Sequence, residues 1–249
     1  MKGPVEIVPG VYGLGDEWVN WYVVDDGGRL TAVDAGIPAY AKTLEADLRS
    51  IGRAPSDVAA LVLTHSDADH TGIAPRLRDA GARVLIHSAD DTTLRKPGPK
   101  QGDASPRHLA KYLRRPQVWR LMVHLTRGGA ARPPKVEGAE TFEDGAVLDV
   151  PGSPRVVHTP GHTPGHCVIH FDWLGVLFAG DALCTWNPVT GKRGPQRFPS
   201  AMNVSNVQAL ESLGLIETLD AQVVLPGHGE PYRGSPAAAV AEARRAKHV

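Results

Sequence analysis

Apolar and polar positions alternate in blocks along this chain, and the blocks change period in a regular order. Val19 to Val24 and Leu30 to Val33 are short β-branched-rich runs, and the Asp25-Asp26-Gly27-Gly28 between them signals a hairpin. Ala39 to Ile51 switches to helical spacing, with Leu44, Leu48 and Ile51 on one stripe and Gly52 as the stop. Val58 to Leu63 is continuously apolar, the mark of a strand covered on both faces. Gly72 to Ala80 reads as a helix with Pro75 confined to its first turn or two, and Val84 to His87 as a short strand. Further on, Ala146 to Val150, Arg155 to His158, Cys167 to Phe171 and Val176 to Ala179 read as strands parted by Gly/Pro turns. Val207 to Leu219 is helical and Val223 to Leu225 is a last strand. Ser235-Pro236, a cap followed by proline at the first position, starts a helix over Ala237 to Ala246. Strands alternating with helices place the chain in the α/β class.

The chain has 249 residues, enough for one large α/β domain or two small ones. Its start, Met1 to Glu6, lacks the apolar core of a signal peptide, and no run of ~18 apolar residues predicts a membrane span. Two cysteines, Cys167 and Cys184, are too few for a disulfide framework, so a reduced cytoplasm is the expected location. Lys plus Arg and Asp plus Glu are equal at 27 each, which argues against bulk nucleic-acid binding.

That balance hides an asymmetry. Between Thr92 and Lys135 stand eleven basic residues against one acid, Asp103. Within this segment Leu109, Tyr112, Leu113, Trp119, Met122 and Val123 follow roughly helical spacing interrupted by Pro116. One kinked helix or two short ones are expected, apolar face toward the body. The segment is either a lid that attracts an anionic or acyl substrate, or a solvated basic helix on an acidic body, or part of a homodimer interface. Stable membrane association is not expected from its modest aromatic content.

The chemistry concentrates in Leu63-Thr64-His65-Ser66-Asp67-Ala68-Asp69-His70-Thr71-Gly72, four metal-capable side chains between a buried strand and a helix. Imidazole and carboxylate at such spacing suit divalent first-row metals; alternatively Asp69 simply caps the helix. His162 and His166 in a Gly/Pro turn, Asp181 in Phe178-Ala179-Gly180-Asp181, and His228 in Leu225-Pro226-Gly227-His228 all follow strands. Strand ends are where open α/β sheets collect ligands. His87, His158 and His170 sit in or beside strands and read as satisfied core histidines, and Cys184 as a packing residue.

In this order the residues resemble the metallo-β-lactamase-fold superfamily, whose signature is an H-x-H-x-D-H cluster followed by a distant His, Asp and His. The resemblance spans about Tyr22 to Pro231 and takes in Asp34, which resembles the family's early structural aspartate. It implies a single domain over 1–249, a four-layer αβ/βα sandwich, with the basic segment at about 92–135 as a helical insert over the mouth of the site. It also implies two divalent metal ions: His65 and His162 on one, Asp69, His70 and His228 on the other, and Asp181 bridging. Asp69 would orient the water, as base and then proton donor. His166 would be an outer partner or structural, and Asp34 would position loops. Asp67 stands where the family has its second histidine. As a third carboxylate ligand it would move preference from zinc toward iron or manganese; alternatively it does not ligate. The implied activity is a hydrolase using a metal-bound hydroxide on a small ester, thioester or lactone. The alternatives are an iron-dependent oxidoreductase of the same fold and a binding protein without catalysis.

Overall fold

The computed structural model describes residues 3–100, 102–104, 110 and 112–246. Strands β1 (Val5–Val8), β2 (Val11–Gly15), β3 (Asn20–Asp26), β4 (Arg29–Val33), β5 (Val58–Val62), β6 (Arg83–His87) and β7 (Glu140–Phe142) form one sheet in sequence order. The first four pair antiparallel, and β4 to β7 run parallel. The second sheet has the order β14-β13-β10-β9-β8, from β8 (Arg155–His158), β9 (Cys167–Phe171), β10 (Val176–Gly180), β13 (Val223–Pro226) and β14 (Tyr232–Arg233). A separate ribbon pairs β11 (Cys184–Trp186) with β12 (Arg193–Gln196).

Both sheets are covered on both faces. In β5, Val58 and Leu61 pack under the helices of the first half, while Ala60 and Val62 face the other sheet. Val24, Val33 and Leu85 meet Ile169, Phe171, Phe178 and Leu225 between the sheets. Helices α1 (Leu44–Ser50), α2 (Ala74–Asp79) and α3 (Ser88–Arg95) accompany the first sheet. Helices α5 (Asn206–Glu217) and α6 (Pro236–Arg245) follow in the second half, where Leu213, Ile216, Ala239 and Val240 cover Leu177 and Val224. The architecture is the expected αβ/βα sandwich.

Most expected elements are present. The Asp25-to-Gly28 turn closes the β3–β4 hairpin, with Gly27 and Gly28 both at positive φ as a two-residue primed turn requires. Ser205 and Ser235 cap α5 and α6 through their hydroxyls. The helix expected over Ala39 to Ile51 is split into a 3₁₀ turn (Pro38–Lys42) and α1. Ala146 to Val150 is not a strand. It makes one isolated bridge, Val147 to Arg155, because Pro151-Gly152 turns the chain straight back; Leu148 and Val150 still face the core.

The basic segment also differs from expectation. Leu109 and part of the reading over Pro106 to Leu125 fall outside the described residues. Pro116 opens helix α4 (Pro116–Arg127) at its first turn instead of kinking a longer one. Val118 and Leu121 are buried, but Trp119, Met122 and Val123 are 54%, 46% and 46% exposed, so much of the apolar stripe faces outward. The helix is seated by its flanks: Tyr112 and Val118 pack on Val189 and Ala201, and Gly128 accepts a hydrogen bond from the Ala39 amide.

Among the described residues no helix is long and apolar enough to cross a membrane.

Candidate metal centre

The carboxyl ends of β4, β5, β8, β10 and β13 open on one edge of the sandwich. The parallel pairings of β4 with β5 and of β10 with β13 put Asp34, His65, Asp181 and His228 just past strand ends there. Two antiparallel steps bring β8, and with it the loop of His162, to the same edge. Residues 34 to 228 thus converge although they are far apart in sequence. Three groups have donor atoms within 4.8 Å of one another: His65, Asp67 and His162; His65, His70 and Asp181; Asp69, His70 and His228.

Each histidine is held by its far nitrogen. His70 donates Nδ1–H to Asp34 Oδ2 at 2.8 Å, and His228 donates Nδ1–H to the Trp18 carbonyl at 2.5 Å. Thr64 Oγ1 lies 2.9 Å from both Asp34 carboxylate oxygens and 2.9 Å from His65 Nδ1; donating to the first, it accepts from the second. His162 Nδ1 donates to Asn203 Oδ1 at 3.1 Å. With Nδ1 so engaged, each imidazole turns its Nε2 inward, the nitrogen left for a metal when the ring is neutral. Asp34 fixes two of them, and it sits at φ +60°, a conformation a non-glycine residue adopts only under local constraint.

Among the described residues, His65 Nε2, His70 Nε2, His228 Nε2 and Asp181 Oδ1 are buried without a hydrogen-bond partner. Each such atom costs about 1–3 kcal/mol if left so, and their gathering in overlapping groups calls for cationic company. The spacings suit a metal ion: His70 Nε2 to Asp181 Oδ1 is 3.5 Å and His228 Nε2 to Asp181 Oδ2 is 3.4 Å. Two donors at tetrahedral angles on ~2.1 Å bonds lie about 3.4 Å apart. The field agrees. Burial opposes a charge on His70, yet Asp181, Asp34 and Asp69 around it push its pKa up to about 10. The donors present thus fit a divalent metal in both chemistry and electrostatics.

His166 does not point into the centre. Its Nε2 accepts the Asp181 amide at 3.0 Å, and its Nδ1 donates to Thr159 Oγ1 at 2.9 Å. Burial holds it neutral, and its role is to set the turn carrying Asp181. Asp69 is 19% exposed at the cleft floor, 3.6 Å from His228 Nε2. Asp67, 22% exposed, lies 3.0 Å from His162 Nε2 and 2.6 Å from the Lys100 ammonium. Burial works against charge on Asp67, but Lys100 and His162 outweigh it and hold the carboxyl well below the usual range. His87, His158 and His170 all have partners elsewhere, and Cys184 is buried with its thiol raised by burial.

Sequence reasoning passed over four contributors. Asp90, buried on α3, accepts from the Ser66 amide, the Thr163 hydroxyl and the Gly165 amide at 2.7–2.9 Å, tying the first histidine loop to that of His162. Thr64 and Asn203 orient histidines, and Lys100 enters from the insert. The adjacent acids Asp90-Asp91 straight after the β6 strand were the only local signal for any of these.

Against known proteins, a family model described as the metallo-beta-lactamase superfamily matches residues 14–228. The chain is 28% identical over 240 residues to the probable metallo-hydrolase YqjP of Bacillus subtilis, covering 90% of this chain and 70% of that one. It is 31% identical over 163 residues to a hydroxyacylglutathione hydrolase of Alkalilimnicola ehrlichii, covering 66% and 46%. A metallo-beta-lactamase family protein of Thermus thermophilus superposes with a TM-score of 0.68 at 26% identity, covering 95% and 79%. With sheet order, histidine tautomers and unpaired donors all in agreement, this chain belongs to the metallo-beta-lactamase superfamily and is a metallo-hydrolase of that family.

Proposed function

We propose that this protein hydrolyses a small ester, thioester or lactone, with divalent metal held by His65, His70, His162, His228, Asp69 and Asp181. The observation that carries the reading is the set of four unpaired buried donor atoms beside Asp67 and Asp69, which line an open cleft. The cleft has a volume of about 710 Å³, the size of a small-molecule site. Its walls are Pro97 to Lys100, Ala130, Ala131, Pro133, Pro164 and Val204, short and largely apolar side chains suited to an acyl group. Among the described residues of those walls Lys100 alone is cationic, and the whole chain is formally neutral. A polyanionic nucleic acid would need a far larger positive surface. The resemblance to a hydroxyacylglutathione hydrolase points the same way, toward an acyl group carried on a thiol.

Imidazole and carboxylate donors suit zinc, and bound metal would supply Lewis acidity and make water a nucleophile at neutral pH. Asp69, at the boundary between buried donors and open cleft, takes the proton of the attacking water and returns it to the leaving oxygen or sulfur. Phe198, packed against His162 and His228 at ring separations of 4.8 and 5.2 Å, keeps bulk water off that side.

The test is kcat/KM of zinc-loaded protein on aryl esters, S-acyl thiols and acyl lactones beside a phosphodiester. Turnover of at least one acyl class, lost in Asp69→Asn even at saturating zinc, supports the reading. Turnover of the phosphodiester alone, or none with metal bound, overturns it.

A further inference from the structure

The insert sends one side chain to the floor of the centre. Lys100 Nζ lies 2.6 Å from Asp67 Oδ2, 2.8 Å from His162 Nε2 and 3.1 Å from the Met202 carbonyl. An ammonium has three donors and no acceptor, and here each donor has an acceptor. Lys100 is not a solvent-borne lysine that happens to fold back, because the chain beside it is fastened. The Asp103 amide bonds the Val204 carbonyl, and the Asp103 carboxylate accepts from the amide and side chain of Asn206. Gly102, at φ +80°, passes so close to Val204 that an added Cβ would meet its carbonyl oxygen at 2.1 Å.

We infer that the Lys100 ammonium takes the place of one of the two ions expected from the motif, so that this chain holds one divalent ion firmly and a tethered cation beside it. The inference rests on the metallo-hydrolase reading. Three observations carry it. First, Lys100 satisfies His162 Nε2 and Asp67 Oδ2, and the donors left unpaired in the centre, among the described residues, are four: His65, His70, His228 and Asp181. Of these, His70 and His228 lie 3.5 and 3.4 Å from the Asp181 oxygens and within 4.8 Å of Asp69, which gives one ion four donors, whereas His65 is left with partners that Lys100 already holds. Second, the charges close. Asp67, Asp69 and Asp181 with Lys100 carry a formal charge of −2, which a single divalent ion cancels. Third, the departure at position 67 gains a reason. A histidine there would offer a neutral nitrogen, whereas a carboxylate forms an ion pair with the lysine. Asp67 and Lys100 are then two halves of one substitution, and Asp67 is committed to the lysine instead of to iron or manganese.

The inference is tested by titrating chelator-stripped full-length protein with Zn²⁺ in a calorimeter and measuring bound zinc after dialysis, on wild type, Lys100→Met and Asp67→His. Wild type is expected to retain about one zinc per chain, and both variants about two. A thermal melt of each variant, matched to wild type, establishes that the count belongs to a folded chain; Lys100→Met keeps the apolar stem that lines the cleft. Two ions in wild type, or one in folded Lys100→Met, overturns the inference and leaves the hydrolase reading standing. No zinc retained by folded wild type overturns both.

Discussion

The two sides of the centre are built differently. His70, His228 and Asp181 are held from the core: one imidazole by Asp34 at the end of β4, one by the Trp18 carbonyl, and the carboxylate by a turn braced on His166. All three are almost fully buried. His162 and Asp67 are held from the periphery, by Asn203 on a loop and by Lys100 on the insert, with Asp67 partly open to the cleft. Core-derived orientation is rigid because moving it means moving a strand. Loop-derived orientation depends on side chains that a loop can change without moving a strand. The difference separates donors oriented from the core from donors oriented from loops.

Substitutions on the two sides should therefore have unequal effects. The largest is expected for Asp181→Ala, which removes the carboxylate that faces His70, His162 and His228 at once. Zinc retention and kcat/KM should fall by more than about 10²-fold, beyond the loss typical of an outer partner. Zinc retained at wild-type level would refute a shared carboxylate.

Asp34→Asn comes next. It keeps a side chain that tolerates positive φ but removes the charge that orients His70 directly and His65 through Thr64. Zinc affinity should drop toward the upper end of 10–100-fold. By contrast, Asn203→Ala loosens only His162 and should cost less than about 10-fold on the same scale. Equal losses in competition titrations of these two variants would erase the distinction between core and periphery.

The smallest effect concerns pH. In metal-stripped protein the His70 pKa is pushed up from 6.5 to about 10 by the surrounding carboxylates. The stabilisation from its charged form is complete below pH 6.5 and is lost as pH rises through 10. Stripped protein should thus lose a few degrees of Tm between those limits. Zinc-loaded protein, whose His70 must be neutral to ligate, should not show that decline, and zinc binding below about pH 10 should release a proton. Thermal melts across the window, with calorimetry in buffers of different ionisation enthalpy, check both.

What could be read from the sequence follows from range. The His65-to-His70 cluster, the double-faced strand β5 and the capped helix α6 are written in contiguous residues, so period and spacing suffice. The supporting residues are not. Asp90 reaches across to Thr163 and Gly165, Asn203 to His162, and Lys100 to Asp67; each is an ordinary polar residue in its own segment and acquires meaning only from a partner far along the chain. Lys100 sits in a Pro-Gly-Pro run that reads as loop, and its neighbours gave no sign that it faced inward. The outward turn of Trp119, Met122 and Val123 was equally unreadable, since an amphipathic stripe does not say which part of it a neighbour will cover.

The last histidine loop is clamped by the first sheet: Tyr22 donates to the Pro226 carbonyl at 2.6 Å, and Asn20 to the carbonyls of Pro226 and Gly229. This joins segments 204 to 209 residues apart in the chain. His65 leaves the ribosome about 160 residues before His228, on the order of ten seconds earlier at ordinary elongation rates. During that interval the nascent chain carries only part of the donor cluster. Only the closing of Asn20 and Tyr22 on the finished loop, across more than 200 residues of chain, completes the set.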